Sequence, residues 1–261
     1  ASGDYNVKTG IQQKDEIGEL ASSIDILSER LETASHESER LNQLRRDFIA
    51  NISHELRTPI TVIRGSLEAL CDEVITEPQQ VKAYHLQMWN ESLYLQRLVN
   101  DLLDLSRLQN TDFQIDLQEV NLCEVLEDVV RSARQMAQAK HIQIEQEIKS
   151  EICAIHGDYG RLRQMFLIIL DNAIKFSPKN GSVKVSLQDH TITICDRGIG
   201  IAETELPYIF ERFYKVQSEA NKSGSGLGLA IAKQIAERHA IELSVESKVG
   251  LGTEFRFTLK H

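Results

Sequence analysis

The sequence predicts a long α-helical hairpin followed by a two-layer α/β sandwich. Up to about residue 110 of the 261-residue chain, strong helix formers predominate and apolar residues recur in alternating steps of three and four. Beyond about residue 113, short stretches with a period of two alternate with stretches of helical period. A polar, glycine-containing stretch spans roughly 196–226. Helices and strands that alternate in this way pack as one layer of each.

The composition excludes several classes of protein. The chain is 41% hydrophobic and 26% charged, as ordinary globular proteins are. Its net charge of -10 argues against a broad nucleic-acid-binding surface, so we expect no nucleic-acid partner. The cysteines are far apart and lack a Cys-x-x-Cys spacing, which indicates reduced thiols rather than a disulfide framework or a zinc site. They are Cys71, Cys123, Cys153 and Cys195.

The helical part contains two apolar seams. The first has the alternating spacing of a coiled coil over 17–41, steps by four over 44–56, and then resumes the alternation up to Val74. Pro78 suits the first turn of a second helix, whose seam covers 81–105. Because one hairpin with a single apolar stripe per helix cannot cover both stripes, we expect a homodimer that pairs two hairpins into a four-helix bundle.

The α/β part is predicted to contain six strands and three helices. The strands are expected at 113–117, 141–148, 182–188, 190–195, 241–247 and 253–259. The helices are expected at 121–139, 158–176 and 227–239. Together they predict a mostly antiparallel sheet covered by helices.

A histidine beside a carboxylate is the first candidate for chemistry. At about 100° per residue, His54 points away from the seam residues Ile52 and Leu56, and therefore toward solvent. A lone surface histidine usually has no function. Here, however, Glu55 could accept a hydrogen bond from one ring nitrogen and leave the other as a nucleophilic lone pair. The Thr58 hydroxyl, one turn on, could orient a water near the ring.

Pro59 lies within the same predicted helix, directly after this group. It removes one backbone hydrogen bond and should bend the helix axis just beyond His54.

A second candidate site begins at the end of the helix predicted at 158–176. Asn172 offers a neutral oxygen to magnesium, which prefers oxygen ligands and keeps much of its water. Lys175, one turn along, can reach a phosphate, and the Phe176 ring can pack on a base. By themselves these residues fit an amphipathic buried helix with a polar end equally well.

Two glycine-containing segments follow. Asp196 ends a predicted strand and could accept a hydrogen bond from an adenine amino group, while Gly198 and Gly200 let the backbone approach the base. Many turns contain Asp-x-Gly-x-Gly, so this segment alone is weak evidence. The helix after Gly224-Ser225-Gly226-Leu227-Gly228 could bind phosphate through its first amides. That segment is neither a Walker loop, because Gly-Lys-Ser/Thr is missing, nor a Rossmann fingerprint, because no first strand precedes it.

Ser53-His54-Glu55-Leu56-Arg57-Thr58-Pro59 resembles, throughout its length, the phosphoacceptor box of sensor histidine kinases. The hairpin around it resembles their dimerisation and phosphotransfer domain. The resemblance implies that His54 takes the γ-phosphoryl group of ATP as a phosphoramidate, with Glu55 as general base. It also implies that Thr58 serves a phosphatase reaction on the partner, the receiver domain of a response regulator.

In their order along the chain, the later segments resemble the N, G1 and G2 boxes of the GHKL ATPases, which have the Bergerat fold. Residues 210–215 resemble the F box, and 250–253 with the strand that follows resemble the closing G3 element. The likeness covers about 113–261 and implies bound ATP and Mg²⁺, with a lid at 201–226. It also implies that Asn172 is the metal ligand. The implied nucleotide-binding residues are Asn172, Lys175, Phe176, Asp196, Gly198, Gly200, Arg212, Tyr214, Lys215, Gly224, Gly226, Leu227, Gly228, Leu229 and Thr253.

One residue departs from that pattern. The family usually has a second asparagine four residues before Asn172, and this chain has Ile168. We expect weaker magnesium coordination as a result, with activity retained.

The start of the chain suggests a larger protein. Asp15-Glu16-Ile17-Gly18 and the seam after it resemble the second half of a HAMP linker, although a plain coiled-coil leader is the simpler alternative. The longest apolar run, 165–170, is too short to cross a bilayer, and there is no signal peptide. We expect the cytoplasmic part of a bacterial inner- or plasma-membrane receptor, attached to the membrane only through a missing upstream segment.

The predicted domains are a HAMP remnant with a signalling helix (1–34), a phosphotransfer hairpin (35–111) and an ATP-binding domain (112–261). The predicted function is autophosphorylation of His54 from ATP, followed by transfer to an aspartate of a response regulator and dephosphorylation of that regulator. Two alternatives stay open. A mechanical GHKL ATPase of the chaperone or topoisomerase kind would lack the exposed His-Glu pair, whereas a non-catalytic dimeric signalling module is supported by Ile168.

Overall fold

A computed structural model of the chain describes residues 8–11, 15–110, 113–148, 153–216 and 224–259. These residues form two compact units, one up to residue 58 and one from residue 59 onward. Within the described ranges, no helix is both long enough and apolar enough to span a membrane.

The first helix, α1 (Glu16–Cys71), continues through Pro59. Asp15 caps its start, because its carboxylate accepts a hydrogen bond from the Gly18 N–H at 3.1 Å. Apolar side chains of the predicted seam are exposed along the helix in the single chain. They include Ile17, Leu20, Ile24, Leu27, Leu31, Leu41 and Leu44. A helix that exposes such a row needs a partner surface to bury it.

The second helix, α2 (Pro78–Gln109), has Pro78 in its first turn, as predicted. One face is buried, and Leu98, Leu105 and Leu108 are almost completely inaccessible to solvent. Trp89 and Leu103, which the helical spacing places on roughly the opposite face, are exposed. The helix therefore has a packed side and an uncovered apolar side.

A five-stranded mixed sheet forms the second layer. The elements after α2 are β1 (Gln118–Asn121), α3 (Leu122–Ala137), β2 (Gln143–Ile148), β3 (Ala154–Gly157), α4 (Tyr159–Phe176), β4 (Ser182–Gln188), β5 (Thr191–Asp196), α5 (Gly228–Arg238), β6 (Ile241–Lys248) and β7 (Gly252–Leu259). The large sheet has the order β2-β4-β5-β7-β6, with only β2 and β4 parallel, while β1 and β3 form a separate antiparallel pair. The predicted two-layer α/β sandwich is confirmed.

Two details of the strand prediction were wrong. The strand expected at 113–117 is irregular, and β1 begins only at Gln118. Exposure does alternate over 113–116, but the Phe113 carbonyl accepts a hydrogen bond from Arg238 instead of joining a strand ladder. Strand β3 was not predicted, because its four residues are too few to establish a period.

The core lies between the sheet and helices α3, α4 and α5. The Phe166 ring of α4 meets the Phe257 ring of β7 edge-on, with centroids 5.0 Å apart. Alternate residues of the central strands β4 and β5 are buried, which is the expected pattern for a sheet covered on one face. This packing holds the ends of α4 and β5, where the predicted nucleotide residues lie.

Candidate functional site

His54 lies exposed on α1, which confirms the orientation predicted from helical periodicity. Its neighbour Glu55 is half-buried, and Thr58 is exposed one turn later. The Thr58 hydroxyl donates to the His54 carbonyl at 3.3 Å, so its oxygen lone pairs are not used in that bond. Pro59 has no N–H, and the Glu55 carbonyl consequently lacks the usual helical donor. An accessible imidazole thus stands beside a carboxylate and a hydroxyl.

A cavity of about 280 Å³ lies within the unit formed by residues 59–261. Most of the predicted nucleotide residues line it, although they come from separate segments of the chain, between Asn172 and Thr253. They are Asn172, Lys175, Phe176, Asp196, Gly200, Tyr214, Gly224, Gly226, Gly228, Leu229 and Thr253. Its volume lies near the lower end of the range of small-molecule sites, about 300–1,000 Å³.

Four predicted residues do not line this cavity. Gly198 and Leu227 are buried behind it, where their N–H groups donate to Asp196 and to the Ser225 hydroxyl. Arg212 is exposed and Lys215 half-buried. The predicted lid at 201–226 is only partly described, since 217–223 lie outside the described residues.

Asp196 is the buried carboxylate of the site. Its Oδ1 accepts hydrogen bonds from the N–H groups of Gly198 at 2.8 Å and Thr253 at 3.3 Å. Burial raises the pKa of Asp196, and these two bonds partly offset that rise. Because both bonds end on Oδ1, Oδ2 remains as an acceptor for a donor group on a ligand.

Two glycines permit the close approach of backbone around this carboxylate and the glycine-rich loop. A Cβ at Gly198 would stand 2.5 Å from the Phe176 carbonyl oxygen. Gly226 has a φ of +72°, and a Cβ there would stand 2.8 Å from the Phe213 backbone. The Phe213 N–H donates to the Gly226 carbonyl at 2.9 Å, so the predicted F and G2 segments are joined directly.

The C-terminal end of α4 carries a cationic group into the cavity. Lys175 Nζ lies 5.1 Å from the centroid of the Phe176 ring. Burial lowers the pKa of Lys175, and the neighbouring Asp171 carboxylate partly offsets this. Lys140 Nζ donates to the carbonyls of Ile174 at 3.1 Å and Ser177 at 3.4 Å, which stabilises this helix end.

Oxygen donors for a metal are few at this end of the cavity. Asn172 and Asp171 line it, and Ile168 lies one turn before Asn172. Ile168 packs toward α5, because a Cβ at Gly228 would be 3.2 Å from its Cγ2. Among the described residues no cluster of three or more His, Cys, Asp or Glu side chains could hold a metal. A magnesium ion here would therefore need oxygens from a bound phosphate and from water.

Sequence reasoning missed one wall of the cavity, which α2 supplies. Tyr94, Arg97 and Asp101 all line the cavity. The Ser225 hydroxyl donates to Asp101 Oδ2 at 2.8 Å, and Arg161 of α4 pairs with Asp104 at 2.8 Å. No motif marks these residues. Their one common signal is the i, i+3, i+7 spacing of a helix face, which resembles any other seam.

Two family models match the chain. Residues 44–111 match the His Kinase A phospho-acceptor domain. Residues 157–261 match the histidine kinase-, DNA gyrase B- and HSP90-like ATPases.

The chain is also similar to individual histidine kinases, both in sequence and in structure. Sensor histidine kinase YclK of Bacillus subtilis (strain 168) is 34% identical over 262 aligned residues, which cover 98% of this chain and 55% of that protein. The chain thus spans about half the length of this relative. Full-length ShkA, solved in complex with AMPPNP, is 29% identical with a TM-score of 0.59, and the match covers 81% of this chain and 45% of ShkA. Histidine kinase ThkA, solved in complex with response regulator protein TrrA, has the same fold, with a TM-score of 0.67 at 24% identity. That match covers 85% of this chain and 65% of ThkA.

Proposed function

Because this chain belongs to the sensor histidine kinases, with a phospho-acceptor domain and an ATPase domain, we propose that it transfers the γ-phosphoryl group of ATP to His54. The phosphoryl group then passes to an aspartate on the receiver domain of a response regulator. One observation carries the proposal. An exposed histidine in the phospho-acceptor domain shares its chain with a cavity where Asn172, Lys175 and Asp196 converge.

The cavity suits ATP in two parts. Asp196 Oδ2 would accept from the adenine amino group, beside the Phe176 ring. Lys175 and the first N–H groups of α5 would hold the phosphates, because a helix N-terminus and an ammonium both favour anions. The phosphate end would then lie where α4 ends and α5 begins.

His54 supplies the nucleophile for the transfer. A ring nitrogen forms a bond to the γ-phosphorus, the bond from that phosphorus to the β,γ-bridging oxygen breaks, and ADP leaves. Glu55 takes the proton that the imidazole loses, and acts as general base. Most of the catalysis comes from positioning and charge stabilisation, as in other phosphoryl transfers. Thr58 would orient water for hydrolysis of the phosphorylated regulator, since its hydroxyl oxygen keeps acceptor capacity.

We propose that Asn172 is the protein's main ligand to Mg²⁺, with the remaining ligands from phosphate and water. The ion would neutralise charge on the transferred group. With Ile168 in place of a second amide, the protein contributes little to the metal, and we expect a high magnesium requirement.

The assembly proposed is a homodimer in which two hairpins form a four-helix bundle. The exposed apolar faces of α1 and of α2 support it, since both would be buried on pairing. The proposed domains remain 1–34, 35–111 and 112–261. The resemblance of Asp15–Gly18 to a HAMP linker supports placing the chain in the cytoplasmic portion of a membrane receptor.

Incubation with γ-labelled ATP tests the kinase function. Wild type should acquire acid-labile, alkali-stable phosphate, and His54→Ala should acquire none. His36 is exposed on the same helix, so His36→Ala is the matched control and should label normally. Nucleotide binding without labelling would favour the signalling module, and ATP hydrolysis that survives His54→Ala without any phosphoprotein would favour the mechanical ATPase.

A further inference from the structure

Helix α2 forms part of the nucleotide cavity itself, although it belongs to the segment that matches the phospho-acceptor model. Tyr94, Arg97 and Asp101 lie on one face of α2 and line the cavity together with residues from α4 and α5. All of them lie within the compact unit that begins at residue 59. A ligand in this cavity would therefore touch both the hairpin and the ATPase domain.

Polar contacts hold α2 in this position. Asp104 accepts from Arg161 Nη1 at 2.8 Å and from Gln164 Nε2 at 2.7 Å. The side chains of Asp104 and Arg161 are only 23% and 16% exposed, so this pair is largely shielded from water. The Ser225 hydroxyl, in the glycine-rich loop, donates to Asp101 Oδ2. Buried leucines of α2 pack on the same side, which makes the contact more than a surface ion pair.

Positive charge gathers where α2 meets the end of α4. Arg97 and Lys175 both line the cavity, and the charges of Arg97, Lys215 and Lys140 contribute to the lowered pKa of Lys175, after burial. Two carboxylates, Asp101 and Asp171, lie in the same region, and Asp101 is already hydrogen-bonded to Ser225. Like charges brought together in a cavity favour a multivalent anion between them.

We propose that Arg97 is a nucleotide-binding residue that contacts the polyphosphate, so that bound nucleotide joins the phosphotransfer hairpin to the ATPase domain. This inference rests on the proposed function for the class of ligand. Arg97 discriminates by phosphate number, because a guanidinium at the phosphate end has no contact with the nucleoside. The docked position of α2 is then more stable with ATP than with AMP.

Titrations of the full chain with ATP, ADP and AMP test this, with binding followed by calorimetry. Arg97→Gln should weaken ATP binding by about tenfold or more, the usual effect of losing a charge-assisted hydrogen bond, and should leave AMP binding within about twofold of wild type. Arg107→Gln is the matched control, because Arg107 is exposed on the same helix and lies outside the cavity. Arg97→Lys should restore part of the ATP affinity.

A second experiment separates a direct contact from general damage. Asp104→Ala removes one of the contacts that hold α2 and so weakens its docking. In that background Arg97→Gln should lower ATP affinity less than it does in wild type, by under about threefold. Equal losses for ATP and AMP, or unchanged ATP affinity in Arg97→Gln, would overturn the proposal. If wild type binds ATP and labels His54 while Arg97→Gln binds ATP normally, only this inference fails. If wild type does not bind ATP, the proposed function itself fails.

Discussion

Removal of the Asp104 carboxylate should weaken the docking of α2 measurably. In Asp104→Ala, the Arg161 guanidinium loses its ion-pair partner and keeps its 2.8 Å bond to Gln164, while Gln164 loses the acceptor for its own N–H group. Breaking a fully buried pair costs about 3–5 kcal/mol. Because these side chains keep 16–23% of their exposure, we expect a smaller loss, of about 2–3 kcal/mol.

Thermal unfolding of the full chain measures the effect. For a unit of this size, the loss corresponds to a fall in Tm of about 4–12 °C. Lys184→Ala is the control, because Lys184 and Glu147 also pair at 2.9 Å but with side chains 45% and 54% exposed. That substitution should shift Tm by about 2 °C at most, since exposed pairs contribute little. Equal shifts in the two variants would refute the argument that burial makes the Asp104 contact strong.

Three further predictions concern the cavity and its support. Ile168→Asn should lower the magnesium concentration needed for half-maximal labelling by roughly tenfold, because it adds an oxygen ligand one turn before Asn172. The control Ile168→Val should leave that concentration unchanged. An unchanged requirement in Ile168→Asn would count against a metal at this position. Asp196→Asn keeps an acceptor for the Gly198 N–H but loses the carboxylate, so ATP affinity should fall at least tenfold while Tm stays nearly constant. If Asp196→Asn bound ATP as tightly as wild type does, the proposed contact between Asp196 and adenine would be excluded. His239 accepts from the Asp158 N–H through Nε2, and burial holds its pKa below 6.5. The unfolded chain therefore binds a proton more readily, and Tm should decrease as pH falls below about 6.5, with a smaller decrease in His239→Gln.

Helical periodicity predicted the exposed position of His54 correctly, because an α-helix fixes the direction of each side chain from its spacing alone. The same local rule located α3, α4, β4, β5 and α5 to within two residues at most of their bounds. The periodicity rule failed at 113–117. Side-chain exposure alternates there over 113–116, but the Phe113 carbonyl accepts a hydrogen bond from Arg238 rather than from a neighbouring strand. A β-strand forms only when a second strand pairs with it, and the local alternation of residues does not show whether such a partner exists.

The parts of the cavity formed by residues close together in sequence could be predicted, because a single turn fixes the positions of those residues. Asp196 and Gly198 lie two residues apart, so their hydrogen bond follows from the turn itself. The α2 wall was not predictable in this way. Asp101 and Ser225 are 124 residues apart, and their contact depends on how the hairpin packs against α5. Arg212 and Lys215 were expected to bind the nucleotide from resemblance alone, and neither lines the cavity here.

The Lys140 ammonium group donates hydrogen bonds to backbone carbonyls at the end of α4. Its positive charge is also close enough to Lys175 to contribute to the lowered pKa of that residue. Lys140 therefore attracts an anion that enters the cavity through long-range electrostatics, while its hydrogen bonds keep the ammonium group in position. Such an attraction weakens as ionic strength rises, since mobile ions screen charges that are not in contact. The salt dependence of ATP binding should accordingly be shallower in Lys140→Met than in wild type.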